Sequence, residues 1–313
     1  MSAIVDDEML HEYSKAVVEI IATHLHRPYP SELWHYTTGD ALIKILRSGT
    51  LWSTQVSCVN DALEFKHAVS LTQSAFKRRH DSDGNLTSDQ KSLINEIQLA
   101  LVQDGRETAN YFVTCFSERR DDVSQWRAYG TGEGGYSIRF NIDALSGQSR
   151  MIGYLAPVTY DRAVQDRVAD AVVSQTLRLY DAGLSKRPGI TLGVWTAAFL
   201  EAWREAVAYI APLIKHEAFE AEKEWRLIKR LVVDDVPNME YLQRQSMLSR
   251  HLPLVFMPPK GATWRRLPIE EIMVGPSRHK GPSRVTVGDI LLTYGYAAAD
   301  IRRTESNAPY QAF

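Results

Sequence analysis

The chain has 313 residues, of which 44% are hydrophobic and 24% are charged. These proportions are ordinary for a folded globular protein and exclude a mainly disordered or fibrous chain. The 36 Lys and Arg residues nearly balance the 38 Asp and Glu residues, which gives a formal net charge of −2. Because dedicated non-specific nucleic-acid binders are usually basic, the charge disfavours that class.

Cysteine usage and hydropathy predict a cytoplasmic protein with no membrane partner. The two cysteines, Cys58 and Cys115, are typical of reduced thiols rather than of a disulfide framework. The acidic N-terminus does not resemble a signal peptide, and the most apolar stretch, residues 190–200, is too short to span a bilayer. No acid or thiol accompanies the His24 and His26 pair at a metal spacing, so we predict no metal site.

The first half of the chain predicts short strands among helices. A helix over 8–25 ends at Pro28, and a capped helix over 41–48 ends at Gly49. A helical hairpin follows, and its first helix opens on an Asp61–Glu64 capping box. The predicted elements, in chain order, are a helix at 8–25, a strand at 33–36, a helix at 41–48, a strand at 51–54 and helices at 60–79 and 90–103.

The second half begins with a segment rich in β-branched and aromatic residues, YFVTCFS over 111–117, which is typical of a strand. Glycines follow at residues 130–135 and precede an alternating strand. The predicted elements, in chain order, are a strand at 111–117, a helical turn at 123–128, strands at 136–141 and 151–160, helices at 162–182 and 192–216, strands at 224–233, 252–257 and 269–274, a helix at 285–294 and a strand at 301–304.

Together these elements predict an α+β fold with a mixed, mostly antiparallel central sheet and helical insertions. We expect an N-terminal helix over residues 1–30 and a single α+β domain over 31–313. The helical insertions fall at about 60–104 and 162–216. Their charges are mixed in sign, which does not favour a DNA-binding surface.

The acidic segment before residue 225 is the sharpest local feature. On a strand, Glu222, Glu224 and Arg226 would share one face, because side chains repeat every two residues. Two buried like charges would raise the pKa of one carboxylate. The alternative is a solvated strand edge with a Glu224–Arg226 ion pair.

Three weaker features lie earlier in the chain. His35 and Tyr36 end a strand, where they could contact a ligand or be structural, and Ser117 ends another strand, where it could face a cleft or cap a turn. A serine hydrolase is disfavoured because Ser117 lacks the G-x-S-x-G context. Trp126 and Tyr129 share a helix face and precede glycines that match neither a dinucleotide-binding nor a P-loop motif, so they could also be core residues.

The ordered motifs resemble the bacterial family called domain of unknown function 2971. The resemblance runs from about residue 33 to residue 310. The motifs are LWHYTT (33–38), LWS (51–53), NDxxE (60–64), CFS (115–117), WxxYG (126–130), GYSIRF (135–140), ExEWR (222–226), VGP (274–276) and SxxPY (306–310). This motif order is similar to that of ADP-ribosyltransferases with a His–Tyr–Glu active site.

The resemblance implies NAD as co-substrate and assigns roles residue by residue. His35 would hold the ribose hydroxyls, with Tyr36, Thr37, Ser117 and Arg226 in the same cofactor-binding set. Trp126, Tyr129 or Tyr136 would stack on nicotinamide, and Glu224, with Glu222 as the alternative, would be catalytic. Asn60, Asp61 and Glu64 match the family without an assigned role. No S-T-S triplet stands at 115–117, which weighs against an arginine-specific subclass.

The resemblance therefore predicts an enzyme that cleaves the nicotinamide–ribose bond and transfers ADP-ribose to a protein, nucleic acid or small molecule. Family members suggest a toxin or phage-defence effector, of the abortive-infection kind, with an antitoxin or defence partner. A carboxylate beside the ribose would stabilise the oxocarbenium-like transition state. Two alternatives stay open: a non-catalytic protein that senses a nucleotide or phage component, and an NAD glycohydrolase.

Overall fold

The computed structural model describes residues 7–59, 64–100, 110–130, 135–147, 152–244, 247–258, 261 and 266–309. The chain divides into two compact units. The helical unit comprises residues 1–27, 56–111 and 158–218, and the sheet unit comprises residues 28–55, 112–157 and 219–313.

The helices and strands alternate irregularly along the chain. In order they are α1 (Asp7–His24), β1 (Trp34–Thr38), α2 (Gly39–Ser48), β2 (Thr50–Gln55), α3 (Glu64–Ser82), α4 (Ser88–Leu99), β3 (Tyr111–Ser117), α5 (Val123–Tyr129), β4 (Gly135–Phe140), α6 (Ile142–Gly147), β5 (Tyr154–Pro157), α7 (Arg162–Ser185), α8 (Leu192–Ile210), β6 (Glu224–Arg230), β7 (Glu240–Arg244), β8 (Met247–Val255), β9 (Ile269–Val274), α9 (Lys280–Thr293) and β10 (Arg302–Glu305).

The helical unit packs α1 and α3 against α7, and α4 against α8. Its core is rich in aromatic side chains, among them Phe76, Trp195, Phe199 and Trp203, which are all fully buried. Thr87 caps α4 through a capping box, in which its side chain accepts from the Gln90 amide and the Gln90 side chain accepts from the Thr87 amide.

The sheet unit contains a mixed sheet whose order is β10-β9-β4-β1-β3-β2-β8-β7, with β6 pairing with both β3 and β5. The β9–β10 pair is parallel, and the other strand pairs with a described register are antiparallel. An apolar core that includes Phe116, Ile138 and Trp225 lies on one face. A smaller cluster of Trp34, Tyr36, Trp126 and Met273 is separate from it.

This fold is the predicted mixed α+β class with a mostly antiparallel sheet. Both ends of the strand predicted at 111–117 agree with the structure. The strand predicted at 151–160 is shorter in the structure, where it spans Tyr154–Pro157. The prediction missed β7, whose sequence EYLQR lacks the alternation of a half-buried strand. It also began α9 too late, because Pro282 lies in the first turn, where proline is tolerated.

The predicted start of α3 and the predicted domain boundaries can also be compared with the structure. The predicted Asp61 cap lies outside the described residues, and Glu64 begins α3 as the structure describes it. The helical unit contains α1 and most of both predicted insertions, while the one-domain organisation stays a prediction. Among the described residues, no helix is both long and apolar enough to cross a membrane.

Candidate functional site

A small cavity lies in the sheet unit where β1 meets β3. These strands pair at Trp34 and Ser117. The cavity has a volume of about 30 Å³, which is about the share of one water molecule in the liquid. Its lining residues come from β1, β3, α5, the turn before β6 and the start of β6: Trp34, His35, Tyr36, Cys115, Phe116, Ser117, Gln125, Tyr129, Glu222 and Glu224.

Strand alternation alone would separate His35 from Glu224. His35 pairs with Ile138, a residue of the apolar core, whereas Glu224 alternates with the core residue Trp225. Both nevertheless line the cavity, where the His35 ring also contacts the backbone of β3. Its Nδ1 donates to the Cys115 carbonyl oxygen at 2.9 Å.

This hydrogen bond defines the chemistry of His35. A carbonyl only accepts, so the proton is on Nδ1 and Nε2 of the neutral ring is an acceptor. Burial lowers the pKa of His35 below its usual value, although the bond to Cys115 opposes the shift. The ring is therefore neutral at pH 7, with Nε2 able to accept from a hydroxyl group.

Glu224 is held by a buried ion pair. The Arg226 Nε and Nη2 atoms donate to the two carboxylate oxygens of Glu224 at 2.9 and 3.0 Å, and both side chains are buried. The bidentate pair fixes the carboxylate plane. The predicted ion pair thus exists, but the alternative of a solvated strand edge is wrong.

Glu222 does not lie on the strand, which corrects the prediction that it shares a strand face with Glu224. It ends a 3-10 turn over Glu217–Glu222, and β6 begins two residues later. Lys223, which lies between them, has a positive φ of 45°. This left-handed conformation interrupts the extended backbone that a continuous strand would need. The side chain of Glu222 reaches the cavity from this turn.

Ser117 has a structural part in this arrangement. Its hydroxyl donates to the Glu222 carbonyl oxygen at 2.6 Å and accepts from the Arg119 amide at 3.0 Å. The single hydroxyl proton is therefore used within the protein. Ser117 ties the end of β3 to the turn that carries Glu222.

Two tyrosines are among the aromatic residues of the lining. The Tyr36 hydroxyl donates to the Arg119 carbonyl oxygen at 2.7 Å, and its ring meets Trp126 edge-on with centroids 4.7 Å apart. Burial, together with the charges of Glu224 and Glu222, raises the pKa of Tyr129 well above its usual value. The Tyr129 phenol is therefore protonated at neutral pH.

Several predicted ligand residues do not line the cavity. Trp126 is a core residue, 2% exposed, whose indole nitrogen donates to Asp121 at 2.7 Å. Thr37 is buried opposite Tyr136 on β4, and Tyr136 packs against the apolar core. Arg226 does not line the cavity, but its two hydrogen bonds orient Glu224, which does. Conversely, the sequence prediction missed Gln125, because a buried glutamine has no characteristic spacing.

A larger polar groove lies beyond the loop that follows β3. Its volume is about 380 Å³, and Arg120, Asp121, Arg284 and Arg303 are among its lining residues. The hydroxyl of Tyr36, a residue of the small cavity, contacts backbone atoms of Arg119 and Asp122. These two residues flank the groove residues Arg120 and Asp121 in the sequence. Among the described residues, no three His, Cys, Asp or Glu side chains are grouped as a metal site requires.

Glu64 of the predicted NDxxE motif lies in the helical unit. Its carboxylate is buried 3.7 Å from the Lys215 ammonium. Asn60 and Asp61 lie outside the described residues. Glu64 therefore forms a buried charge pair, and its motif partners are not described.

A family model described as "Protein of unknown function (DUF2971)" matches residues 125–227. This segment includes Tyr129, Glu222 and Glu224. It does not include His35, which lies N-terminal to it. The match supports the resemblance to that family over about a third of the chain. No curated protein and no solved structure matches the chain.

Proposed function

We propose that the cavity is the catalytic end of an NAD site in an ADP-ribosyltransferase-like enzyme. The enzyme would cleave the nicotinamide–ribose bond and transfer ADP-ribose to an acceptor. The observation that carries the proposal is that His35, Tyr129 and Glu224, distant in sequence, line one cavity. Ligand sites commonly combine aromatic walls with a few polar groups in this way.

Each of these residues has a chemistry that suits the reaction. The Glu224 carboxylate, oriented by Arg226, would stabilise the positive charge that develops on the ribose. The Nε2 atom of the neutral His35 would accept from a ribose hydroxyl. Tyr129 offers a ring for the nicotinamide, and Glu222, half-buried beside it, would orient or deprotonate the acceptor.

The volume of the cavity limits how NAD could bind. A space of about 30 Å³ is far smaller than a nicotinamide ring, so binding requires the half-buried Tyr129 and Glu222 to move outward. The groove lined by Arg120 and Arg303 would then take the diphosphate. Arg303 is the cation best suited, because it is an exposed residue, whereas Arg120 donates to Glu271 at 2.8 Å.

The family resemblance suggests the biological setting: a cytoplasmic toxin or phage-defence effector with an antitoxin or defence partner. The acceptor would be a protein, nucleic acid or small molecule. The second candidate is an NAD glycohydrolase, which the small cavity favours, since it admits a water molecule beside Glu224. A non-catalytic nucleotide or phage-component sensor would use the same residues only for binding.

Incubation with NAD labelled on its adenylate phosphate separates these candidates. Free nicotinamide together with label on a lysate macromolecule supports the transferase, and free nicotinamide without transfer supports the glycohydrolase. Binding without nicotinamide release supports the sensor. Glu222→Gln should reduce transfer of the label, because Glu222 lines the cavity. Glu220→Gln is its matched control and should leave transfer unchanged, because Glu220 lies in the same acidic turn but is exposed and pairs with Lys223. No NAD binding and no turnover would refute the proposal.

A further inference from the structure

The two ends of the sheet differ in how they are protected against a further strand. Apart from the β5–β6 branch, the strand order ends at β10 on one side and at β7 on the other. β10 is only four residues long and contains two adjacent exposed arginines, Arg302 and Arg303, and both features hinder strand addition. β7 contains neither proline nor lysine, and its central residues, Tyr241, Leu242 and Gln243, are uncharged.

The outer side of β7 is open. Tyr241 is 63% exposed, and Glu240 and Gln243 are also exposed. β8 pairs with β7 on the inner side, and among the described residues no strand pairs with its outer side. An unpaired strand edge presents a row of backbone N–H and C=O groups, which makes it a template for another strand.

The pairing with β8 determines which backbone groups of β7 point outward. Leu242 pairs with Ser249, and the Leu242 carbonyl oxygen accepts from the Ser249 hydroxyl at 3.2 Å. Leu242 therefore directs its backbone groups toward β8. Because inward and outward groups alternate along an antiparallel strand, the N–H and C=O groups of Tyr241 and Gln243 point to the open side.

Exposed apolar side chains adjoin this edge. Tyr241 pairs with Arg250 of β8, and Gln243 pairs with Leu248. Tyr241 and Leu248 are therefore diagonal neighbours on one face of the sheet. Leu248 is 69% exposed. Covering side chains of this kind removes apolar surface from water, which favours association.

The sequence of β7 is complementary to itself when two copies run antiparallel. With a twofold axis at residue 242, residue 241 lies opposite residue 243 of the second copy, which brings the outward backbone groups into register. Residue 240, a glutamate, then lies opposite residue 244, an arginine. Opposite charges at facing positions stabilise a strand pair, and a shift by two residues in either direction separates them.

We infer that the outer edge of β7 binds a second copy of this chain, with the two β7 strands antiparallel about residue 242 so that the two sheets become continuous. Tyr241 of each copy exchanges two backbone hydrogen bonds with Gln243 of the other. The two Tyr241 side chains are diagonal neighbours across the axis. Because a five-residue strand forms a small interface, the dimer is weak and dissociates on dilution.

Sedimentation equilibrium of the full chain from about 1 to about 200 µM tests this inference, because we expect a reversible dimer with a dissociation constant in the micromolar range. Gln243→Pro removes an outward N–H that the pairing with β8 does not use. By symmetry it removes two bonds between the copies and should weaken dimerisation at least about tenfold. Gln243→Ala is the matched control, because it shortens the same side chain but keeps the N–H, and it should dimerise like the parent protein.

Charge exchange tests the register. Glu240→Lys alone and Arg244→Glu alone should each weaken dimerisation, because like charges would then occupy facing positions. An equimolar mixture of these two variants should restore dimerisation through a heterodimer. Glu19→Lys makes the same charge change at an exposed residue of the helical unit and should dimerise like the parent protein.

A chain that stays monomeric over the whole concentration range would overturn the inference. Parent-like dimerisation of Gln243→Pro would also overturn it, because another surface would then hold the copies together. A mixture of the charge variants that fails to recover would contradict the twofold register. If Gln243→Pro fails to fold, this mixture decides, because its substitutions lie at the ends of β7 and keep every backbone N–H group.

Discussion

Replacing Glu224 by Gln removes the charged partner of a buried guanidinium. Arg226 is 2% exposed and donates two hydrogen bonds to Glu224, at 2.9 and 3.0 Å. The amide oxygen of glutamine can keep one of them, but the negative charge opposite the guanidinium is lost. Breaking a buried pair on one side costs about 3–5 kcal/mol, and the retained bond places the expected loss near about 3 kcal/mol. Since domains are stable by about 5–15 kcal/mol, this loss is a large fraction.

Loss of activity in Glu224→Gln would therefore confound catalysis with stability. The double variant Glu224→Leu with Arg226→Met removes both charges, and replacing a buried pair by apolar residues of similar volume is often neutral. Urea unfolding should show a large decrease in the midpoint for the single variant and most of it restored in the double variant. Nicotinamide release should be absent in both. A single variant as stable as the parent protein would refute the energetic argument, and a folded, active double variant would exclude Glu224 from catalysis.

Three further predictions concern other parts of the molecule. Trp225→Ala should lower the free energy of unfolding in urea by about 3–5 kcal/mol, because Trp225 is 1% exposed; a loss below 1 kcal/mol would contradict its place in the core. His35 has a lowered pKa, so its native ring binds fewer protons than the unfolded one. Stability should be complete above about pH 6.5 and fall as the pH decreases through the folded pKa, and His35→Gln should flatten that dependence in pH-dependent thermal unfolding. Gly183→Ala should destabilise the helical unit by about 1–3 kcal/mol, because a Cβ there would lie 2.3 Å from the Trp195 ring; an unchanged melting temperature would contradict this.

Local features of the fold follow from the sequence because they depend on neighbouring residues. The strand Tyr111–Ser117 has β-branched and aromatic residues throughout, and α2 ends at Gly49, whose φ of 68° suits glycine. Alternation with its charged neighbours also predicts that Trp225 faces the core, where the structure places it. Edge strand β7 escaped prediction, because an exposed strand needs no apolar pattern.

The candidate site was only partly predictable. The sequence singled out His35, Tyr129 and Glu224, but strand alternation would have placed His35 and Glu224 on different faces. Only the tertiary structure shows that they line one cavity, where the His35 ring also donates to the Cys115 carbonyl oxygen of β3. Likewise, the sequence could show an Arg226 two residues from Glu224 but not that the pair is buried.

Composition determined that the chain is a folded globular protein, and periodicity determined most of its helices and strands. Only tertiary structure decided which polar side chains lost their contact with water: the Glu224–Arg226 pair and the Tyr296 hydroxyl, which has no hydrogen-bond partner among the described residues. The physical reason is that burial depends on residues far apart in the chain. A polar side chain that is solvated at no cost in water costs free energy once it is enclosed, unless a partner compensates it.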